Sequence, residues 1–310
     1  YNGGVLLEEA IQSVLQQTYN NFEVIIVDDA SPQPSNNIVA KFNDPRIKYI
    51  FHSKNLGARE ARKTGIHASI GEIVAFLDQD DLYHPQKLEH HVSLLQNNFE
   101  VGMSYNARFS IKDSPEHICE LWRPPNVLTL ADIVLGFPVA PSEMVFRREW
   151  AIRTEYSEGS WGRSGGEIVL LGRMLFDGCR FGYINLALNY RRFHSGRIFN
   201  NLAANCESEL SCQNLIMSDP RCPQEVKQLR NEAHKNTYLY FGCRAFAQNE
   251  TGFGQDCFRN AVQLVPSLIK GNPCPLMEYL VDFVFQDDIQ NNEELLRSLM
   301  AQLPSEFRWM

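Results

Sequence analysis

Three aspartates fall within four residues in the stretch FLDQDDLYHP, residues 76–85: Asp78, Asp80 and Asp81. Carboxylates this close repel one another and resist desolvation, so either water surrounds them or a cation compensates them. A second acidic pair, Asp28–Asp29, closes the run FEVIIVDD. One Asp-Asp pair after an apolar run reads as a loop with a helix cap. Two such clusters at the ends of neighbouring parallel strands read instead as a cation site, because ligands of open α/β sheets bind at that edge. With carboxylates as the obvious ligands the ion is hard, Mg²⁺ or Mn²⁺. Mg²⁺ typically takes one or two carboxylates and leaves its other positions to substrate phosphates.

The common alternatives for holding phosphate or metal are missing from the sequence. It contains no GxxxxGK[ST] loop, no GxGxxG after a strand, and not the glycine of an EF-hand loop after Asp78. What remains is a metal–nucleotide site without a phosphate-cradling glycine loop.

The elements that would position these acids follow from periodicity. Leu6, Leu7, Ala10, Ile11, Val14 and Leu15 recur at helical spacing. Residues 22–29 form an apolar run too continuous for a half-exposed strand, so it is buried on both faces. IKYIF, 47–51, predicts a second strand and EIVAFLD, 72–78, a third. Helices are predicted over 57–68 and 85–97, the latter with Pro85 in its first turn. This β-α-β-α-β order predicts a parallel sheet with right-handed crossovers. Further strands are expected at VGMSYNARF and SEMVFRREW, with a loop over 111–127 between them, and a helix then a strand over 165–184. From about residue 200 the pattern is helical: 201–217, 224–248, 251–264, 274–286 and 292–302.

The chain has 310 residues, 44% of them hydrophobic, and a net charge of −8. That suffices for one large domain or two ordinary ones. Without a dense basic block, phosphate-driven nucleic-acid binding is not expected. No apolar run approaches the roughly 18 residues of a membrane span. The eight cysteines include no CxxC pair and read as thiols of a reducing, cytoplasmic compartment, peripheral at most to a membrane.

YNGGVLLEEAIQSVLQQTYNNFEVIIVDDAS, followed by NLGAREARKTGIHASIGEIVAFLDQDD, resembles the nucleotide-binding half of the family 2 inverting glycosyltransferases, whose fold is GT-A. The resemblance extends over about residues 1–195. It implies a Rossmann-like, mostly parallel sheet flanked by helices over 1–199, and the helical pattern that follows predicts an all-α region over 200–310. That family also carries a strand ahead of the position of Tyr1, so the sequence is expected to begin inside the domain. Tyr1 would stack on the donor base, Asp29 would accept a hydrogen bond from the base, and Arg62 would approach the nucleotide. Asp78, Asp80 and Asp81 match the family's DXD segment, with Asp78 and Asp80 toward the ribose and Asp80 and Asp81 on the metal.

The same resemblance implies roles further on. Six residues before a helical arginine, here Arg173, the family carries its catalytic base, usually Asp; this chain has Glu167 there, one methylene longer. As a residue alone, Glu167 is also a first-turn carboxylate favoured by the helix dipole. His194 in YRRFHSG matches a family histidine near the diphosphate and metal, and Arg191 and Arg192 could offset diphosphate charge. Trp161 lies in a polar, glycine-rich loop over 154–167 and could stack on a sugar face or sit half-buried under the loop. Residues 239–266 resemble one tetratricopeptide unit through Gly242, Gly254, Phe258, Ala261 and Pro266, which suggests a surface for a protein partner or a second copy of the chain.

The implied reaction is metal-dependent transfer of a sugar from a nucleotide-diphosphate donor, uridine being the expected base, to a glycan or other hydroxyl acceptor. Two other classes stay open on sequence grounds. One is a nucleotidyltransferase, which also sets carboxylates and a metal at a sheet edge. The other is a non-catalytic nucleotide-sugar-binding protein acting through its helices.

Overall fold

A computed structural model of the chain describes residues 3–112, 114–136, 139–153, 166–192 and 201–270. The chain divides into two compact units. The first comprises Tyr1–Leu128, Val139–Gly159 and Arg173–Ser195, and the second Thr129–Pro138, Ser160–Gly172 and Gly196–Met310.

In the first unit, α1 (Gly4–Leu15) precedes β1 (Val24–Asp28), a short α2 (Asn36–Ala40) and β2 (Ile47–Phe51). Strands β1 and β2 pair in parallel, Val24 opposite Ile47 and Asp28 opposite Phe51. Then come α3 (Ala58–Ala68), β3 (Ile73–Ala75), β4 (Leu82–Tyr83), α4 (Lys87–Asn97), β5 (Val101–Ile111) and β6 (Ile118–Trp122). The segment α5 (Leu130–Val134) belongs to the second unit. After it follow β7 (Met144–Arg147), α6 (Arg148–Arg153), α7 (Gly166–Phe176), whose residues up to Gly172 belong to the second unit, and β8 (Arg180–Arg192).

Six of these strands make a second sheet in the order β3-β7-β5-β8-β4, with β6 also paired to β5. β5 is the spine of this sheet because its side chains are buried almost end to end, Met103 and Tyr105 completely. One edge of β5 meets β8 in parallel. Its other edge takes β7 and then β6, both antiparallel. Of the three strands expected to run parallel, β1 and β2 do so, whereas β3 lies in the other sheet, antiparallel to β7; there β5–β8 is parallel and β4–β8 antiparallel. Strand β6 occupies part of the stretch expected as a loop over 111–127: Ile118 to Trp122 close a hairpin on β5. Thiols expected to be free are so at Cys179, Cys206, Cys222 and Cys257.

The second unit is helical in its later part, with α8 (Leu202–Ser218), α9 (Gln224–Gln228), α10 (Arg230–Ala247) and α11 (Thr251–Leu264). The single helix expected over 224–248 is two, joined at Leu229. Leu202, Cys206, Phe241, Ala245 and Cys257 form its core. Two helix contacts need glycine: a Cβ on Gly172 would come within 2.7 Å of Ile216, and one on Gly254 within 2.8 Å of the Phe246 ring. No helix among the described residues is long and apolar enough to cross a membrane. The helices expected over 274–286 and 292–302 lie outside the described residues.

Candidate active site

The acidic turn after β3 is held from several sides. The Asp81 N–H donates to the Asp78 carbonyl at 3.1 Å, which closes the turn on itself. The Asp78 N–H donates to Ser142 Oγ at 3.1 Å, and Ser142 Oγ donates to Asp81 Oδ2 at 2.9 Å. From the end of β8, the Arg192 N–H donates to Asp81 Oδ1 at 3.2 Å and its Nε to the Asp80 carbonyl at 3.2 Å. Arg192 Nη2 also meets Glu9 Oε2 of α1 at 2.5 Å. The Tyr83 hydroxyl donates to the Phe76 carbonyl at 2.5 Å, and burial raises its pKa far above the ordinary phenol value, with Asp78 and Asp81 adding to the shift.

These contacts separate three aspartates that the sequence presents as equals. Asp81 is only 2% exposed, and both carboxylate oxygens accept hydrogen bonds from the protein. Here it anchors the turn from within. Arg192 is buried and bonded to the Asp80 carbonyl, Asp81 and Glu9, so it braces the acidic turn. Asp78 and Asp80 remain half-exposed. Asp78 Oδ1 takes a 2.7 Å ion pair from Arg62 Nη2 of α3. Arg191 is half-buried on β8, in register with Ser110.

The second acidic pair organises the end of β1. Asp28 Oδ1 accepts the Ser31 N–H at 3.0 Å, and its Oδ2 accepts the Ser35 N–H and the Tyr49 hydroxyl, both at 2.8 Å. Burial opposes ionisation of Asp28, but these bonds and the Ser31 hydroxyl together outweigh it and hold the carboxyl far below the usual range. Asp29 Oδ1 meets His52 Nδ1 at 2.7 Å and the Leu56 N–H at 2.9 Å, and its Oδ2 takes the Gly57 N–H at 2.6 Å. Burial pushes its pKa up while His52 and the two backbone donors push it further down, so the net shift is downward.

Asp29 thus seats the start of α3. Gly57 has φ +92°, a conformation that suits glycine, and its N–H goes straight to the carboxylate. His52 Nε2 completes the tie through Thr64 Oγ1 at 3.0 Å. At 3% exposure, Asp29 directs its carboxylate to His52 and the chain at Leu56–Gly57. Helix α3 then joins the two acidic clusters: its start rests on Asp29 and its Arg62 reaches Asp78. Sequence reasoning missed His52 and Ser142, whose partners are distant in the chain.

Glu167 stands half-buried in the first turn of α7. Tyr1, Trp161 and His194 lie outside the described residues. No group of three or more His, Cys, Asp or Glu side chains among the described residues is placed to hold a metal ion. Asp78 and Asp80 nonetheless fit a partial set: two half-exposed carboxylates on one turn suit a hard cation that completes its shell with phosphate oxygens.

The pattern of the family described as Glycosyl transferase family 2 matches residues 1–163, just over half of the 310 residues. An uncharacterized glycosyltransferase of Rickettsia conorii is 46% identical over 91 residues, which make up 29% of this chain and 15% of that protein. The Escherichia coli UDP-Glc:alpha-D-GlcNAc-diphosphoundecaprenol beta-1,3-glucosyltransferase WfgD is 38% identical over 98 residues, 32% of this chain and 39% of that protein. The chain therefore matches well under half the length of these curated relatives. Among solved structures, S. aureus TarS 1–349 in complex with UDP-GlcNAc superposes with a TM-score of 0.66 at 15% identity, covering 98% of this chain and 90% of that one. Mannosyltransferase PcManGT from Pyrobaculum calidifontis, in complex with GDP-Man and Mn²⁺, gives 0.60 at 15% identity, covering 97% and 83%. At such identity the likeness is one of fold, and it agrees with the α/β architecture and helical C-terminal region expected from the sequence.

Proposed function

The chain belongs to glycosyl transferase family 2, and from that premise we propose that it transfers a sugar from a nucleotide-diphosphate donor to a hydroxyl acceptor with inversion at the anomeric carbon. The observation that carries this reading is the turn Asp78–Asp81, which offers Asp78 and Asp80 half-exposed while Asp81 and Arg192 hold it from within. A uridine diphosphate sugar is the proposed donor, in keeping with the UDP-Glc of the E. coli relative's name and the UDP-GlcNAc bound to TarS.

Asp80, with Asp78 beside it, would hold Mg²⁺ or Mn²⁺, and His194 is proposed as a further ligand. Bound there, the ion would supply Lewis-acid charge to the departing diphosphate. Arg62 would exchange part of its pairing with Asp78 for the nucleotide. Asp29 would serve base recognition through what it fixes, His52 and the Leu56–Gly57 backbone. Tyr1 is proposed to stack on the base, Trp161 on a sugar, and Arg191 to face the diphosphate.

Inversion needs a base on the acceptor side, opposite the leaving group. Glu167 is proposed for it: the acceptor oxygen bonds to the anomeric carbon, the bond to the diphosphate oxygen breaks, and the hydroxyl proton passes to the Glu167 carboxylate. Residues 200–310, with the α10–α11 pair, are proposed as a surface for a partner or a second copy. A nucleotidyltransferase is disfavoured by the family match, and a non-catalytic role by the joint presence of Asp78, Asp80 and Glu167.

Calorimetric titration of the 310-residue chain with UDP and GDP, with and without Mn²⁺, tests the donor half of this reading. Binding of UDP that depends on the ion is expected. Equal binding with and without Mn²⁺ would remove the cation from the site, and no binding of either nucleotide would remove the donor.

A further inference from the structure

Ser142 touches the acidic turn at both its ends. Its hydroxyl donates to Asp81 Oδ2 at 2.9 Å and accepts the Asp78 N–H at 3.1 Å. The side chain is 0% exposed, so water does not stand in for either partner. A hydroxyl has one proton to give and two lone pairs, and here the proton and one lone pair both go to the turn.

The position of Ser142 is itself fixed. It is the middle residue of a single 3₁₀ turn, Pro141–Glu143, whose proline presets the backbone. Glu143, also 0% exposed, accepts the Ala140 N–H at 2.9 Å and Arg108 Nη1 at 3.0 Å. The Arg108 guanidinium lies 4.0 Å from the centre of the Trp122 ring. Ser142 is thus tied through Glu143 to the middle of β5 and the end of β6. A buried ion pair is expensive to build and weak as a source of stability. One set directly beside the contact to Asp78 and Asp81 has its best use in fixing geometry.

We propose that Ser142 is a positioning residue of the donor site, holding the turn so that Asp78 and Asp80 face the cation and diphosphate together. It would act through the Asp78 backbone and the Asp81 carboxylate and touch no substrate. This rests on the reading of that turn as the donor site. Displacements of about 1 Å in such a site can cost on the order of 10²-fold in rate, so a hydroxyl that sets the turn matters beyond its own hydrogen bonds.

The test titrates UDP into wild type, Ser142→Ala and Ser104→Ala, each with and without Mn²⁺, alongside thermal unfolding. Ser104 is a second fully buried serine, bonded to His91 at 2.7 Å, and controls for the loss of a buried hydroxyl as such. Ser142→Ala is expected to weaken Mn²⁺-dependent UDP binding about tenfold and leave metal-free binding within about twofold. Ser104→Ala is expected to lower the melting temperature without that metal-linked loss. Glu143→Gln, which loosens the support but keeps the Ser142 hydroxyl, should show a smaller loss of about threefold, and it carries the test should Ser142→Ala not fold. Wild-type binding that both Ser142→Ala and Glu143→Gln reproduce, or a metal-linked loss as large in Ser104→Ala, overturns the role of Ser142 alone. Absence of Mn²⁺-dependent binding in the wild type overturns the donor-site reading and the role of Ser142 with it.

Discussion

Arg62 Nη2 stands 2.7 Å from Asp78 Oδ1, and this bond joins the two acidic clusters of the chain. Helix α3 begins where Asp29 accepts the Gly57 N–H, and about a turn and a half later presents Arg62 to the turn after β3. The two clusters are therefore joined by a helix that one acid seats and another receives. In the proposed donor site, a nucleotide diphosphate would meet an arginine already aligned by a carboxylate.

Arg62→Ala should separate binding from stability. The pair is partly exposed, 19% for Arg62 and 36% for Asp78, and such pairs contribute roughly 0–1 kcal/mol. The variant is expected to melt within about 2 °C of wild type and to bind UDP about tenfold more weakly with Mn²⁺ present. Unchanged UDP affinity would make the ion pair purely a surface feature.

Asp80→Ala and Asp81→Ala should fail in opposite ways. Asp81 is buried with the Ser142 hydroxyl and the Arg192 N–H directed at it. Its loss leaves those donors unsatisfied and should cost about 2 kcal/mol of stability. Asp80→Ala should keep the wild-type melting temperature and lose Mn²⁺-dependent UDP binding. Urea unfolding and calorimetry on both variants decide this, and a stable Asp81→Ala that has lost only metal binding would return Asp81 to the cation.

Lys87 gives a pH signature in the core. Fully buried on α4, it donates to Asn106 Oδ1 at 2.5 Å and lies 3.4 Å from His91 Nε2. Burial lowers its pKa from about 10.5 to about 7, against a smaller opposing pull from Glu143. Between those values the unfolded chain binds the extra proton, so the stability Lys87 costs near neutrality is recovered as pH rises toward 10.5. Lys87→Met should be more stable than wild type by on the order of 2 kcal/mol near pH 6. That advantage should shrink steadily up to about pH 10. An advantage constant with pH would show that Lys87 keeps its charge across the range.

The sequence displays what is local and hides what is distant. The continuous apolar run of β1 and the helical spacing of α1 are local, and both elements form where that pattern places them. The mixed sheet is not local. β3 finds β7, and β5 finds β8, only through packing of segments far apart in the chain. The hairpin strand β6, ICELW, is a short apolar run with one acid between polar stretches, and it reads as loop until β5 is there to pair with it. The acids show the same limit. Asp78, Asp80 and Asp81 are indistinguishable by type and spacing. What sorts them is Ser142, 61 residues from Asp81, and Arg192, 111 residues from it. Asp29 reads as an acceptor for a base, and its protein donors, His52, Leu56 and Gly57, arrive only when β2 and α3 fold back onto β1.

Transfer itself tests the account most directly. The measurement is release of nucleotide diphosphate from a panel of UDP- and GDP-sugars, with Mn²⁺ or Mg²⁺ and with metal chelated, for wild type, Asp80→Ala and Glu167→Gln. The account predicts metal-dependent turnover of at least one UDP-sugar, silence in Asp80→Ala, and a drop of roughly 10²-fold in Glu167→Gln with Mn²⁺–UDP affinity unchanged. A Glu167→Gln variant that turns over at the wild-type rate, or turnover indifferent to metal and to Asp80, would contradict it.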